Sequence, residues 1–510
     1  MQRSLAVVFA AAVVVPATAQ SSCPGAGVTV AARGGRLGDV WRVDCVGGPS
    51  AIGVVGLDLY PGPTPTPIGP LCLGLSGNLQ LFAFLFDASG AGAVTGVLPA
   101  AAAFAGIEVF ATAISFDPAQ PGGIGRGNGA SFVLREPHFW FVHPGSSTPF
   151  GTIPGAIAQT NAISDSVGFA QTLTTSVIDA ASVPERGWLT MLLGNGQLVA
   201  YDGVAATPVF STPLLGTAAG AQRILNVPGA DLLLLLAPGT PPSPFGGGTP
   251  GSIHYAVLPG GTIPLSVPLA SGNPDAMLAV PGSSLVFLRQ SNGVVPFDHG
   301  SVTLLPLIPL PSGFGGLVDW KIANGQLYVL HGGSAGGPFG GASPAAISVV
   351  DIATLSYGFT QQLAMAAPVQ LLRAGPGSLG PALWVYGTTA GALAEFAQGT
   401  LTPAATILVG SGITAMELSA LGTQWLLICA GGGCGSPTLL QLLPGTTTVT
   451  PLAALSAPQS ALAISPSASY GKACLALGTN VAAPFGTDPF TALGSIVLPS
   501  ASSFWRIVPD

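Results

Sequence analysis

The sequence predicts an all-β fold, and its composition and a long internal repeat are the two observations that predict it. Hydrophobic residues make up 48% of the chain, but they occur in short runs broken by 73 Gly and 48 Pro. This punctuation is typical of short strands joined by tight turns. Residues 139–173 and 327–363 are two copies of one pattern, in which His331 matches His143. A repeat of this kind sets the architecture of a chain.

Residues 1–19 have the pattern of a signal peptide. Arg3 precedes an apolar run over residues 5–15, and Ala17-Thr18-Ala19 offers small residues for cleavage. The run is shorter than the roughly 20 residues that span a bilayer, and no later run reaches that length. We therefore expect export to the extracellular space or the cell envelope, that is, the periplasm or the cell surface, with no transmembrane segment after cleavage.

Charged residues are scarce, at 6% of the chain. There are 20 acidic and 13 basic residues, which give a net charge of −7, and Lys321 and Lys472 are the only lysines. Nucleic acid is not expected as a partner, because no basic stripe exists to neutralise phosphates. An uncharged polar surface suits an exported protein, whose partner would be an unknown protein or a glycan.

Export permits disulfides, and the six cysteines are Cys23, Cys45, Cys72, Cys429, Cys434 and Cys474. Cys429 and Cys434 flank a Gly-rich loop that could bring their sulfurs together across a hairpin, so we predict this pair and a free Cys474. A zinc site is disfavoured because no His lies at ligand spacing beside these cysteines.

Residues 20–136 predict a compact antiparallel β-sandwich, because short apolar runs alternate with Pro and Gly clusters, above all at residues 61–70. The segment contains six turn-forming motifs: Cys23-Pro24-Gly25, Leu37-Gly38-Asp39, Gly69-Pro70-Leu71-Cys72, Asp87-Ala88-Ser89-Gly90, Phe116-Asp117-Pro118 and Asn128-Gly129. On these motifs the segment resembles a small β-sandwich module of large exported bacterial proteins of unknown function.

The resemblance implies a Cys23–Cys72 disulfide. Cys45 departs from the family pattern, so a Cys45–Cys72 pair stays open. Closing a loop of about 50 residues would stabilise the module by about 4 kcal/mol in the chain-entropy model.

Residues 137–510 predict a β-propeller. Eight apolar central strands start on average about 48 residues apart, which suits one four-stranded blade each. They are Phe139 to His143, Leu189 to Leu193, Leu232 to Leu236, Leu285 to Arg289, Leu327 to His331, Leu383 to Gly387, Trp425 to Cys429 and Ala473 to Leu477. Eight blades are favoured, and seven is the alternative if the first unit extends the sandwich. A solenoid is disfavoured because the terminal units are not polar caps.

Closure of the ring is expected to join residues 131–134 or 139–143 to the C-terminal blade. In that blade, residues 504–508 are expected to supply the fourth strand. The Asn324-Gly325 pair predicts a tight hairpin turn in the fifth unit.

Four units share a Pro-Phe-Gly triplet after the central strand. The phenylalanines of the four triplets are Phe150, Phe245, Phe339 and Phe485. In one interpretation these aromatics form an exposed ring that stacks on sugars or grips a partner. In the other, which we favour, each ring anchors a Gly-rich loop.

The five histidines are the scarcest reactive residues, but the equivalence of His143 and His331 favours the same structural hydrogen bond in two blades. Asp202, Asp298 and Asp351 end third strands and are expected to accept turn amides. No nucleophile elbow, metal-binding helix or phosphate loop occurs. We therefore assign no catalytic residue, metal or cofactor.

The sequence favours an exported, non-catalytic binding or structural platform. The alternative is a hydrolase or lyase acting in the propeller channel. It would require at least two titratable groups that converge at one channel mouth. Asp, Glu, His or Arg side chains from three or more blades within hydrogen-bonding reach of one cavity would favour the enzyme.

Overall fold

The computed structural model describes residues 23, 25–148, 151–202, 207–240, 249–269, 273–336, 341–431, 433–455, 462–464, 471–477, 481–487, 490–493, 496–497 and 506–509. The expected signal peptide lies outside these residues. The described helices are three short 3₁₀ turns, at Ala102–Phe104, Pro121–Gly123 and Gly216–Gly220. Within the described residues no helix is long and apolar enough to cross a membrane.

The chain divides into two compact units. The first comprises Met1–His138, Asn161–Ser164 and Pro184–Gly187, and the second comprises Phe139–Thr160, Asp165–Val183 and Trp188–Asp510.

The first unit is built from one hydrogen-bonded sheet. In spatial order its strands are Gln80–Leu85, Ile52–Asp58, Glu108–Phe116, Ile124–Gly127, Gly27–Arg33, Val40–Val46 and Ala91–Val97, and Ala130–Val133 also pairs with Glu108–Phe116. Alternate residues of these strands are buried in one core around Trp41, Val55 and Phe132. A separate hairpin, Pro61–Thr64 with Leu71–Leu73, is tied to residue 23 by the Cys23–Cys72 disulfide.

Most neighbouring strands of this sheet pair antiparallel, as predicted, and one pair is parallel. Gly27–Arg33 pairs antiparallel with Val40–Val46 and parallel with Ile124–Gly127, so hydrogen bonding continues from one half to the other. The short runs of alternating hydrophobicity predict the individual strands. Only the long-range pairing shows that Gly27–Arg33 joins the two halves of the sheet. The resemblance to the exported bacterial module stays a prediction.

The second unit is a propeller of eight blades, as predicted. Each blade is a sheet of at least four antiparallel strands. From the inner strand outward, blade 1 contains Arg506–Pro509, His138–His143, Ala156–Asn161 and Val167–Thr172; blade 2 contains Val177–Val183, Trp188–Leu193, Gln197–Tyr201 and Phe210–Pro213; blade 3 contains Arg223–Val227, Leu232–Ala237, Ser252–Val257 and Thr262–Pro268; blade 4 contains Ala276–Ala279, Leu285–Gln290, Gly293–Asp298 and Thr303–Leu304, with Ile308–Pro309.

The remaining blades repeat this order. Blade 5 contains Leu317–Ala323, Gln326–His331, Ala346–Asp351 and Ser356–Gln362; blade 6 contains Val369–Gly377, Gly380–Gly387, Ala392–Ala397 and Pro403–Leu408; blade 7 contains Ile413–Leu418, Trp425–Cys429, Thr438–Leu442 and Val449–Ala454; blade 8 contains Leu462–Ile464, Lys472–Leu477, Val481–Thr487 and Phe490–Ala492, with Ile496–Val497. An additional hairpin pairs Ser146–Thr148 with Gly151–Ile153.

The ring closes in blade 1. Arg506–Pro509 pairs antiparallel with His138–His143, so that Trp140 lies opposite Val508. Closure therefore uses the strand at residue 139, while Ala130–Val133 pairs within the first unit. The prediction that residues 504–508 complete the last blade is wrong, because the C-terminal strand is the inner strand of the first blade. The first repeat unit is thus a full blade.

Packing between blades explains the unbroken hydrophobicity of the second strands. In Leu232–Ala237, Leu233 and Leu235 pack towards blade 2, whereas Leu234 and Leu236 pack towards blade 4, and all four side chains are fully buried. A strand covered on both faces needs no polar alternation. The hairpin at Asn324-Gly325 has φ angles of 48° and 71°, as a type I′ turn requires.

Candidate functional site in the channel

Charged residues are scarce in this chain, but several of them lie on the inner strands of the eight blades. The inner strands of blades 2, 3 and 4 contact one another in turn, as do those of blades 5 to 8, and Arg506–Pro509 contacts the inner strands of blades 8 and 2. Four of the 13 basic residues lie on inner strands, namely Arg223, Lys321, Arg373 and Arg506. Three carboxylates, Asp179, Asp319 and Glu417, lie there too. The channel is therefore the candidate site for ligand binding or catalysis.

Blades 1 to 4 surround a cavity of about 470 Å³ in this channel. Its lining combines three charged residues with apolar ones: Ile178, Asp179, Arg223, Ile224, Leu225, Ala276, Met277 and Arg506. Asp179 is buried, and its carboxylate accepts from Arg506 Nη1 and from the main-chain N–H of Ile224 at 3.0 Å. This carboxylate thus holds three consecutive inner strands together.

Arg223 presents an exposed guanidinium to the same cavity. Its Nε donates to the carbonyl oxygen of Asp275 at 3.0 Å, and its Nη1 donates to that of Gln222 at 3.1 Å. The Asp275 carboxylate is held by Arg289, through Nε at 2.8 Å and Nη2 at 2.9 Å. Arg223 consequently has no carboxylate partner among the described residues.

A second charged group joins blades 5, 6 and 7. Arg373 donates from Nη1 to Asp319 Oδ2 at 3.0 Å, from Nη2 to Glu417 Oε1 at 3.3 Å and from Nε to the Met416 carbonyl at 2.7 Å. Asp319 Oδ2 also accepts from the main-chain N–H of Leu372 at 2.9 Å. These contacts connect the inner strands of three blades, and solvent screens them little because Arg373 is largely buried.

Lys321 lies on the same inner strand as Asp319, two residues further on. Burial and the positive charge of Arg373 lower the pKa of its ammonium group, while the carboxylates of Asp319 and Glu417 offset part of the effect. Its ammonium makes no hydrogen bond or ion pair within the described part of the chain.

A repeated β-bulge positions the two inner-strand aspartates. The register between first and second strands shifts just before Asp179 in blade 2 and just before Asp319 in blade 5. The same shift occurs at the corresponding places of blades 6 and 7. An extra residue in a strand redirects the side chain that follows it. Both aspartates therefore reach the next blade and accept a main-chain N–H there.

The structure does not support an exposed ring of aromatic residues at Phe485, which is the one of the four phenylalanines that lies within the described residues. Its side chain is only 3% exposed, in the strand Val481–Thr487, and its ring packs on Phe490 with centroids 5.5 Å apart. Its burial disagrees with the exposed-ring interpretation, and its place in a strand disagrees with the loop that both interpretations expected. Phe150, Phe245 and Phe339 lie outside the described residues.

The two equivalent histidines make different hydrogen bonds, contrary to prediction. His331 Nε2 bonds Ser348 Oγ at 2.7 Å, and Ser348 Oγ bonds Thr360 Oγ1 at 2.6 Å. His143 Nδ1 instead accepts from the N–H of Gly145 at 3.1 Å. The positions are equivalent, but blade 1 has Ala158 where blade 5 has Ser348, so the side-chain partner is missing.

His254 and the strand-end aspartates Asp298 and Asp351 have structural partners. His254 is fully buried between Ser252 Oγ at 2.8 Å and Ser266 Oγ at 2.6 Å. Asp298 accepts from the N–H of Gly300 at 3.0 Å and from Ser301 Oγ at 2.7 Å. Hydrogen bonds from Ser284 and Ser301 lower the pKa of Asp298 to about 2.

Asp351 accepts from the N–H and the hydroxyl of Thr354, each at 2.8 Å, which agrees with the expected turn role.

Two disulfides are present, Cys23–Cys72 and Cys429–Cys434. Cys45 and Cys474 are free and buried, so the open Cys45–Cys72 pairing is not adopted. Burial, with the charge of Asp44, raises the pKa of Cys45 to about 12, and burial also raises that of Cys474. Neither thiol is poised as a nucleophile.

Sequence reasoning did not single out the charged residues of the channel, although one local signal was present. Asp179 and Asp319 each stand two residues after the start of an inner strand, in Val177-Ile178-Asp179 and Leu317-Val318-Asp319. A carboxylate recurring at the same place in an apolar first strand marks a special position. Arg223 and Arg506 each begin an inner strand, and Arg373 lies in the middle of one.

Comparisons with known proteins assign no family to the chain. No family model matches the sequence, and no curated protein matches it. Three similar solved structures are the computationally designed Ika8 protein, BamB from Moraxella catarrhalis and the C-terminal WD40 domain of Sif2. Ika8 has 11% identity over 65% of this chain and 90% of its own, with a TM-score of 0.46.

For BamB the identity is 12% over 69% of this chain and 94% of its own, with a TM-score of 0.43. For the Sif2 domain it is 10% over 65% and 89%, with a TM-score of 0.46.

Proposed function

We propose that this chain is an exported, non-catalytic bacterial binding protein, a platform in the cell envelope or outside the cell whose ligand is a protein or a glycan. The observation that carries the proposal is the cavity among blades 1 to 4. Arg223 and Arg506 line it together with apolar side chains that, apart from the buried Ile224, are exposed or partly exposed. A concave site with a few convergent polar groups is the usual form of a ligand site.

The export part of the proposal is supported by the signal-like residues 1–19 and by the two disulfides. Disulfides persist in oxidising compartments and are rare in reducing ones. The resemblance of residues 20–136 to a module of exported bacterial proteins agrees with this location.

The alternative, a hydrolase or lyase in the channel, meets its geometric condition but not its chemical one. Asp179, Arg223 and Arg506 come from three blades and line one cavity. However, the Asp179 carboxylate is occupied by Arg506 and Ile224, and the described lining contains no second carboxylate, histidine or cysteine. General acid–base catalysis needs a titratable group free to exchange a proton with the substrate. The arrangement therefore favours binding.

The test uses the full mature chain on a glycan array and as bait for envelope proteins, beside an Arg223→Met variant. Retention of a defined glycan or protein that weakens in the variant would support a platform whose seat is the channel. If the wild-type chain retains no polysaccharide and no envelope protein, the binding function is wrong and a structural role replaces it.

A further inference from the structure

We propose that the cavity among blades 1 to 4 binds a monoanionic carboxylate that carries an aliphatic body. This inference rests on the proposed binding function and names the chemical class of ligand for its channel site. The carboxylate meets the tip of Arg223, and the aliphatic body lies against the apolar lining.

The Arg223 guanidinium is fixed in place before any ligand arrives. Its bonds to the carbonyls of Asp275 and Gln222 use Nε–H and one Nη1–H. A guanidinium has five N–H donors, so the second Nη1–H and both Nη2–H donors are left. One Nη1–H and one Nη2–H form the end-on fork that matches the two oxygens of a carboxylate. Holding a flexible arginine in advance reduces the entropy cost of binding.

The charge balance of the cavity leaves one positive charge uncompensated. Asp179 pairs with Arg506, and Asp275 pairs with Arg289 through two hydrogen bonds. The carboxylates near Arg223 are therefore already engaged. A ligand with one negative charge would neutralise Arg223, whereas a dianion would add repulsion from Asp179.

Apolar side chains make up the rest of the lining. Five of the eight lining residues are Ile178, Ile224, Leu225, Ala276 and Met277, and Ile178 is 40% exposed. Covering such surface with a hydrocarbon chain is favourable. The lining thus selects an aliphatic carboxylate over a small inorganic anion.

The experiment measures binding of hexanoate, hexanol and hexyl phosphate to the full mature chain by titration calorimetry or ligand-observed NMR. We expect hexanoate to bind at least about tenfold more tightly than hexanol, since a hydrogen bond to a charged group is lost with the alcohol. Hexyl phosphate should bind no more tightly than hexanoate. Arg223→Met should weaken hexanoate about tenfold, and Arg223→Lys should weaken it less.

Arg42→Met is the control, because Arg42 pairs with Asp44 in the first unit, and it should leave hexanoate affinity unchanged. Equal binding of hexanol and hexanoate, tighter binding of hexyl phosphate, or wild-type affinity in both Arg223 variants would each overturn the assignment. If hexanoate does not bind while the array or bait experiment retains a partner, only this inference fails. If hexanoate binds and no macromolecule is retained, the platform proposal fails and the small-ligand site stands.

Discussion

Arg373 on the inner strand of blade 6 donates from Nη1 to Asp319 Oδ2 on the inner strand of blade 5, across 3.0 Å. The same guanidinium reaches Glu417 of blade 7, and the same carboxylate accepts the N–H of Leu372. The two ion pairs of Arg373 therefore link three blades. The side chains are only 16% and 21% exposed, so solvent screens the pair less than it screens a surface pair.

We predict that Arg373→Met lowers the free energy of unfolding by about 2 kcal/mol, because it leaves a half-buried carboxylate without its cation. The matched control is Arg223→Met in the same ring, which breaks no ion pair and should change stability by roughly 0.5 kcal/mol or less. Urea unfolding of both variants measures the difference. Equal losses in the two variants would show that Arg373 does not link the blades.

A second prediction concerns Lys321, whose pKa is lowered in the fold by burial and by Arg373. The unfolded chain then binds more protons than the folded one between the lowered value and 10.5, so stability should rise with pH through that window and level off above it. Lys321→Met should be more stable than wild type at pH 7 and should lose that rise.

Urea midpoints at pH 7 and at pH 10 test the prediction for Lys321. Lys472→Met is the control, since Lys472 pairs with Asp165 at 2.8 Å and its removal should destabilise the fold. A Lys321→Met variant less stable than wild type at pH 7 would contradict the expected cost of the buried ammonium.

The buried histidines predict acid sensitivity. Burial lowers the pKa of His331 from its ordinary value of 6.5 despite an opposing hydrogen bond to the backbone of Gly315. As the pH falls below 6.5, the unfolded chain takes up the proton first, so stability is lost between 6.5 and the lower folded pKa. His331→Gln should show a shallower loss of urea midpoint between pH 7 and pH 5.

The less buried His143 occupies the equivalent place in blade 1, so His143→Gln should flatten the profile less. Identical pH profiles for wild type and His331→Gln would exclude this histidine as a source of acid sensitivity.

The C-terminal strand predicts a large effect of a small truncation. Removing residues 506–510 takes away the inner strand of blade 1, including buried Ile507 and Val508. Each buried aliphatic side chain contributes about 1.5–3 kcal/mol, so the truncation should lower stability by at least about 3 kcal/mol. Thermal unfolding measures this, with Asp510 deletion as the control; an unchanged midpoint would mean that ring closure does not depend on this strand.

Much of the architecture was predictable because its causes are local. Runs such as Leu232 to Leu236 specify strands covered on both faces, Asn324-Gly325 specifies a tight turn, and the spacing of the runs specifies one four-stranded blade per repeat. The Cys429–Cys434 pair was predictable for the same reason, since only a short loop separates the two residues.

The candidate site was not predictable, because its members are distant in the sequence and ordinary in their local context. Asp179 and Arg506 are 327 positions apart, and Arg373 meets Asp319 only because two inner strands lie side by side. Two local features gave wrong expectations. Phe485 is buried in a strand and not in a loop, and His143 lacks the serine that His331 contacts.

By itself, therefore, the sequence determined the strands, the turns and the repeat length, because each depends on neighbouring residues. Only the tertiary structure decided that the C-terminal strand completes the first blade and that scarce charges meet in the channel. These depend on how blade-to-blade rotations add up around the ring until its ends meet, which no local pattern encodes.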